Sequence, residues 1–169
     1  PARIGLYADP DLNRDLYLWL AAFLAAAEAP AEPPPRDPLQ ADLAFLRRAA
    51  ATSRAVCAAW PGLRRIQDRL TAALREIRPQ RRLPAAERAV EAVIREMLGG
   101  ATASGAAAPF RAAVFDGAEL AEFAAPRGYR PFLPVPLWGE VTAGSRPARA
   151  PPAPDSEPEA RRRQGARDG

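Results

Sequence analysis

A chain of 169 residues has room for one ordinary domain with length to spare, and 48% apolar content makes a buried core attainable. Aromatic residues supply only 7%, so the core must be assembled from a few Leu, Ile, Val, Phe and Trp positions among many alanines. The formal charge is a modest +4, every basic residue is arginine and histidine is absent. Arg alternates with Asp and Glu as on a solvated surface instead of gathering on one stripe, which speaks against nucleic acid as a partner.

One cysteine, Cys57, excludes an intramolecular disulfide framework. Residues 1–9 lack the charged-then-apolar pattern of a signal peptide. The longest apolar run, residues 16–27, is roughly 12 residues, short of the ~20 that span a bilayer. The expectations are a cytoplasmic location and no membrane insertion. The opening on Pro1, without a natural lead-in, is read as the start of a piece cut from a longer protein.

The first helix is punctuated by Asp9 as cap, Pro10 in the first turn and Asp11 beside the positive end of the dipole. Leu12, Leu16, Leu20, Phe23 and Leu24 mark one face, and Tyr17, Leu18 and Trp19 extend the apolar surface around the others. A helix apolar nearly all round is expected at the centre of a bundle. Residues 30–35 end it in a stiff polyproline-like connection.

Asp37-Pro38 opens a second helix whose Leu39, Leu43, Leu46, Ala50, Ser53 and Val56 recur every three or four residues. Trp60-Pro61-Gly62 breaks it. A third helix carries Leu63, Ile66, Leu70, Leu74 and Ile77 and closes at Arg78-Pro79, arginine suiting the negative helix end. The fourth begins near Pro84, uses Val90, Val93, Ile94 and Met97, and stops at Gly99-Gly100.

Residues 101–128 are expected to be a flexible linker, with residues 111–115 extended and one short helix at 116–125 placing Leu120 and Phe123 inward. From Tyr129 to Trp138 prolines alternate with large apolar residues, which excludes a helix or central strand. Residues 129–141 are therefore an extended Pro-rich segment laid on the bundle of residues 1–100. Residues 142–169 lose apolar content and are expected to be a disordered tail. The expected fold is all-α, an antiparallel bundle of about four helices.

Catalytic, cofactor and metal sites are all expected to be absent. Without histidine there is no Ser-His-Asp or Cys-His pairing and no Cys/His metal site. Cys57 reads as a small core residue. Glu87 and Glu91 lie one turn apart but have Arg88 and Arg95 nearby, so they read as solvated helix surface. Gly99-Gly100 lacks the lysine of a nucleotide-binding loop. Trp19 and Trp60 read as core residues. Trp138, Phe132 and Arg14 are the candidate partner-binding residues, with Trp138 placed to dock in cis or onto a partner.

The stretch Tyr7-Ala8-Asp9-Pro10-Asp11-Leu12-Asn13-Arg14-Asp15-Leu16-Tyr17-Leu18-Trp19-Leu20-Ala21-Ala22 resembles the middle region of the NorD/CbbO family, accessory proteins for nitric oxide reductase and for Rubisco. Thr52-Ser53-Arg54 leading to Trp60-Pro61-Gly62-Leu63, the Arg78-Pro79 junction, the Leu83-Pro84-Ala85-Ala86-Glu87 start and Pro134-Val135-Pro136-Leu137-Trp138 extend the resemblance over residues 4–138. The family's C-terminal von Willebrand A (VWA) domain binds magnesium through an Asp-x-Ser-x-Ser motif. Asp155-Ser156-Glu157-Pro158 is not that motif, so no cofactor or catalytic residue transfers to this chain, and residues 142–169 would lead toward the missing domain.

The resemblance implies a non-catalytic adaptor working with a MoxR-type AAA+ ATPase (NorQ-like) on a client metalloenzyme such as nitric oxide reductase, in denitrification. The alternatives are a CbbO-like Rubisco activation adaptor and an unrelated helical ligand-binding module. The last would require buried, converging Asp, Glu and Arg side chains.

Overall fold

The computed structural model describes residues 5–140, and the expected disordered tail at 142–169 lies outside them. The described residues form five α-helices and no β-strand: α1 (Pro10–Ala26), α2 (Pro38–Ala59), α3 (Leu63–Ile77), α4 (Ala85–Met97) and α5 (Ala108–Phe115). The all-α class holds among them, with five α-helices where about four were expected.

The helix starts follow the cap chemistry. Asp9 accepts a hydrogen bond from the Asp11 N–H at 2.8 Å, and Asp37 accepts from Leu39 and Gln40 at 2.9 and 3.0 Å. Each supplies an acceptor that first-turn donors otherwise lack. Helix α4 ends in paired turns, with the Gly99 N–H donating to the Glu96 carbonyl and Gly100 to that of Arg95, both at 2.8 Å. Gly99 has φ +81°, and a Cβ on Gly100 would lie 2.7 Å from the Arg95 oxygen. Both glycines are therefore demanded by this Schellman-type stop.

Helix α2 is the centre of the fold. It packs on α1, α3, α4 and α5 and buries Leu39, Leu43, Leu46, Ala50, Ser53 and Val56, the stripe its spacing announced. Helix α1 is not central. It buries Asp15, Leu16, Trp19 and Phe23, whereas Tyr17 and Leu18 stand 64% and 46% exposed and Leu24 also faces outward. Apolar character all round did not enclose this helix because its neighbours cover only one side. Trp60, expected in the core, is 46% exposed, because it stands at the end of α2 where the chain turns at Pro61-Gly62 into α3.

The region after α4 departs furthest from expectation. Residues 111–115, expected to be extended, lie in α5, and the helix expected at 116–125 is reduced to a single 3-10 turn at Leu120–Glu122. The expected linker is also packed, with Ala103, Ala107, Ala113 and Val114 buried. Polar side chains explain why so plain a sequence folds here. Glu96 accepts from the Ala103 N–H at 2.8 Å and from Arg111 Nε at 2.9 Å. Arg47 donates through Nε to the Ala113 carbonyl at 2.7 Å and through Nη2 to that of Ala118, satisfying acceptors at the α5 end.

Candidate functional site

The segment 128–138 crosses the helices as a strap without helix or strand. Prolines remove backbone donors at 131, 134 and 136; local turns satisfy the Tyr129 and Trp138 N–H groups, and side chains of the helices partner several of the other polar groups. The Trp19 indole N–H donates to the Leu137 carbonyl at 2.9 Å. A single oxygen of Asp42, on α2, accepts from the Tyr129 hydroxyl at 2.7 Å and from the Phe132 N–H at 3.2 Å. Glu87, on α4, accepts from the Arg130 N–H at 3.3 Å. Val135, Leu137 and Trp138 close the strap as buried residues.

Under its first half lies a buried ion network. Arg78 grips Glu91 with both prongs, Nε to Oε1 at 2.9 Å and Nη2 to Oε2 at 2.8 Å, and Nη2 also donates to the Leu133 carbonyl at 3.2 Å. Arg95 adds a second cation on Glu91 at 3.1 Å. The reading of Glu87 and Glu91 as solvated surface is corrected here. Glu87 is buried, and only 18% of the Glu91 side chain is exposed, because the strap covers the face of α4 that they share. Arg78, read only as a helix-end charge, is the buried hub of this network, its side chain 4% exposed.

Burial pushes the Asp42 carboxyl above its ordinary value, outweighing the two hydrogen bonds that oppose it. The Tyr129 hydroxyl is pushed up as well, first by burial and then by its bond to Asp42. Its proton is therefore firmly held and donated to the carboxylate. At the other end of the site Asp37 has its carboxyl lowered, chiefly by the Ala125 N–H, which it accepts at 2.8 Å.

Strap, α4 and the α3–α4 connection enclose a cleft of about 440 Å³, within the usual range of ligand pockets. Leu83, Val90, Phe132 and Leu133 give it apolar walls; Arg81, Arg82 and Arg130 bring positive charge to it, and Glu87 and Glu91 also line it. Among the described residues none of these three arginines has a carboxylate within ion-pairing distance.

The three sequence candidates do not converge. Phe132 lines the cleft and its ring meets Phe45 with centroids 5.7 Å apart. Trp138 docks in cis, 8% exposed, beside a separate hollow that includes Cys57 and Phe115. Arg14 lies in neither; its side chain is 70% exposed and meets Asp11 at 3.5 Å. The cleft arginines escaped sequence reading because Arg81, Arg82 and Arg130 come together only through the fold. The available signal was Arg81-Arg82 in a short interhelical connection without a neighbouring acid. Among the described residues no group of three or more His, Cys, Asp or Glu side chains is placed to hold a metal ion, and no helix is long and apolar enough to cross a membrane.

Over the described residues, fold and site together define an all-helical protein with a cationic, apolar-walled cleft under a proline strap. Comparison with known proteins adds that the chain is similar to Protein NorD of Brucella abortus (strain 2308), Brucella suis biovar 1 and Brucella melitensis biotype 1. In each case it is 40% identical over 139 residues, which cover 82% of this chain and 20% of the relative. The chain spans about a fifth of the length of these curated relatives. No protein-family model matches the chain, and no solved structure matches it at a significant level.

Proposed function

We propose that this chain is a non-catalytic adaptor region of a NorD-like accessory protein. In this reading it works in the cytoplasm with a MoxR-type AAA+ ATPase to activate nitric oxide reductase, and magnesium chemistry belongs to a VWA domain elsewhere in such a protein. The observation that carries the reading is the 40% identity to NorD over 139 residues. A contact role is supported by the cleft, where the neutralised Arg78–Glu91 pair lies beside arginines without an ion-pair partner among the described residues.

The test is to exchange this segment for the matching one in a full-length NorD, co-expressed with the ATPase and nitric oxide reductase subunits. Restored nitric oxide reduction together with co-purification of the ATPase is the expected result. A stable exchange protein that restores neither sinks the proposal.

One observation favours a second reading, a helical ligand-binding module. Arg78, Glu87 and Glu91 converge beside the cleft, the very feature that reading requires. The two readings are compatible if the ligand is part of a protein partner.

A further inference from the structure

From the cleft between strap and α4 we infer the chemistry of one partner: it receives an extended peptide segment in which a large apolar side chain is flanked by Asp or Glu. This rests on the adaptor reading and names what the adaptor would hold. Its basis is the distribution of charge and apolar surface around a single concavity.

Arg81 and Arg82 on the α3–α4 connection and Arg130 on the strap are exposed and without ion-pair partners among the described residues. Guanidinium groups held this way are ready to take carboxylates, in a two-pronged geometry where the approach allows it. The charge is not spread evenly through the site. Arg78 is already neutralised by Glu91, and Glu87 on α4 is buried with its Oε2 lacking a hydrogen-bond partner among the described residues. An anion driven deep would therefore meet carboxylates, whereas one at the exposed arginines meets guanidinium groups without an ion-pair partner among the described residues.

The deeper surface is suited to something else. Leu83, Val90 and Phe132 line it, and burying apolar area there is favourable. The occupant selected is apolar in the middle and acidic at its edges. Small anions lack the apolar part, and a nucleic-acid strand would carry its phosphates past the Glu87 and Glu91 carboxylates. A cleft of about 440 Å³ also suits one or two side chains better than a folded surface. The walls are preorganised, since Arg78 ties α4 to the Leu133 carbonyl of the strap and Asp42 holds Tyr129 and Phe132. Binding therefore need not order them.

A random hexapeptide display library selected on the immobilised full chain at moderate salt tests this. The expected outcome is enrichment of sequences with Leu, Phe or Ile and an Asp or Glu within two positions. A selected peptide should bind about tenfold more weakly to Arg81→Glu/Arg82→Glu, a variant that removes no described ion pair and should melt like the parent. It should bind more weakly to Leu83→Ser and lose affinity with added salt. The inference is overturned by no enrichment, by equal binding to the charge-reversed variant, or by equal displacement with inorganic phosphate or an oligothymidylate strand. Failure here leaves the segment-exchange result untouched, and failure of that exchange leaves peptide binding to be read on its own.

Discussion

The α2 core and the strap at 128–138 both bury apolar side chains, but they are held by different means. Around α2 the buried residues are Leu43, Leu46, Val56, Val93 and Ile94, each at 0% exposure, and cohesion comes from non-directional apolar burial. The strap has fewer such residues and depends on named polar anchors: Trp19 to the Leu137 carbonyl, Asp42 to Tyr129 and Phe132, Arg78 to the Leu133 carbonyl. A regular helix satisfies its own interior backbone groups. A proline-rich extended segment cannot, and must borrow partners from the helices it crosses.

That contrast is broken most severely at Trp19, where core and strap meet. Trp19→Ala removes a fully enclosed ring and should cost about 3–5 kcal/mol of unfolding free energy in urea. Trp19→Phe keeps most of the apolar volume but leaves the Leu137 carbonyl without its donor, and should cost about 1–3 kcal/mol. A negligible cost for the phenylalanine variant would mean that the strap is held by shape alone.

Arg78 is the next lever. Arg78→Ala leaves Glu91 with Arg95 as its remaining partner, so the loss should be about 3 kcal/mol, at the lower end for breaking a buried pair. The double variant Arg78→Met/Glu91→Met should recover much of it in the same denaturation series, because well-packed apolar replacements remove both desolvation penalties. If the double variant is as unstable as the single one, the ion pair is a stabilising element in its own right.

Asp42→Ala strips the Tyr129 hydroxyl and Phe132 N–H of a shared acceptor and should cost about 2 kcal/mol. Asp42→Asn, which can still accept, should cost less. Amide exchange at Phe132 should accelerate in the alanine variant while exchange in the middle of α2 follows only the global change.

The smallest effect is in pH dependence, and here two carboxylates act in opposite directions. Asp42 is raised above its ordinary value of 3.8, so the folded chain binds that proton more tightly than the unfolded chain does. Stability from this group is complete below that value and falls as pH rises through the raised one. Asp37 is lowered from the same starting point; its contribution is present above it and disappears as pH falls through the lowered value. Asp42→Asn should flatten the slope above pH 3.8 and Asp37→Asn the slope below it, read from urea midpoints across the acid range. A single variant that flattens both windows would show that the two groups are coupled.

Legibility in the sequence divides along the same line. Helices α2 and α4 could be read because a three-and-four spacing of large apolar residues reports a buried face directly, and Asp37-Pro38 and Gly99-Gly100 punctuate them. Helix α1 was legible in extent but not in placement, since Tyr17, Leu18 and Leu24 gave its surface no polar side. Helix α5 was hidden in a run of alanines whose partners are Arg47, 66 residues before Ala113, and Glu96, whose pairing with Arg111 has no periodic signature. The cleft was hidden for the same reason: a pair such as Arg78 and Glu91 carries no periodic signature, and only the crossing of the strap turned Glu87 from apparent surface into interior.

The Trp19–Leu137 hydrogen bond joins positions 118 residues apart, and this has a bearing on how the protein is made. Translation delivers α1 before the strap, yet its indole has no final partner until Leu137 leaves the ribosome. Over that interval the nascent chain must carry a large aromatic ring awaiting cover, in the company of other apolar helices, a situation in which a growing polypeptide is prone to stick to its neighbours. Closure over the Trp19 ring is therefore timed by the emergence of a short, proline-stiffened segment rather than by the completion of any helix.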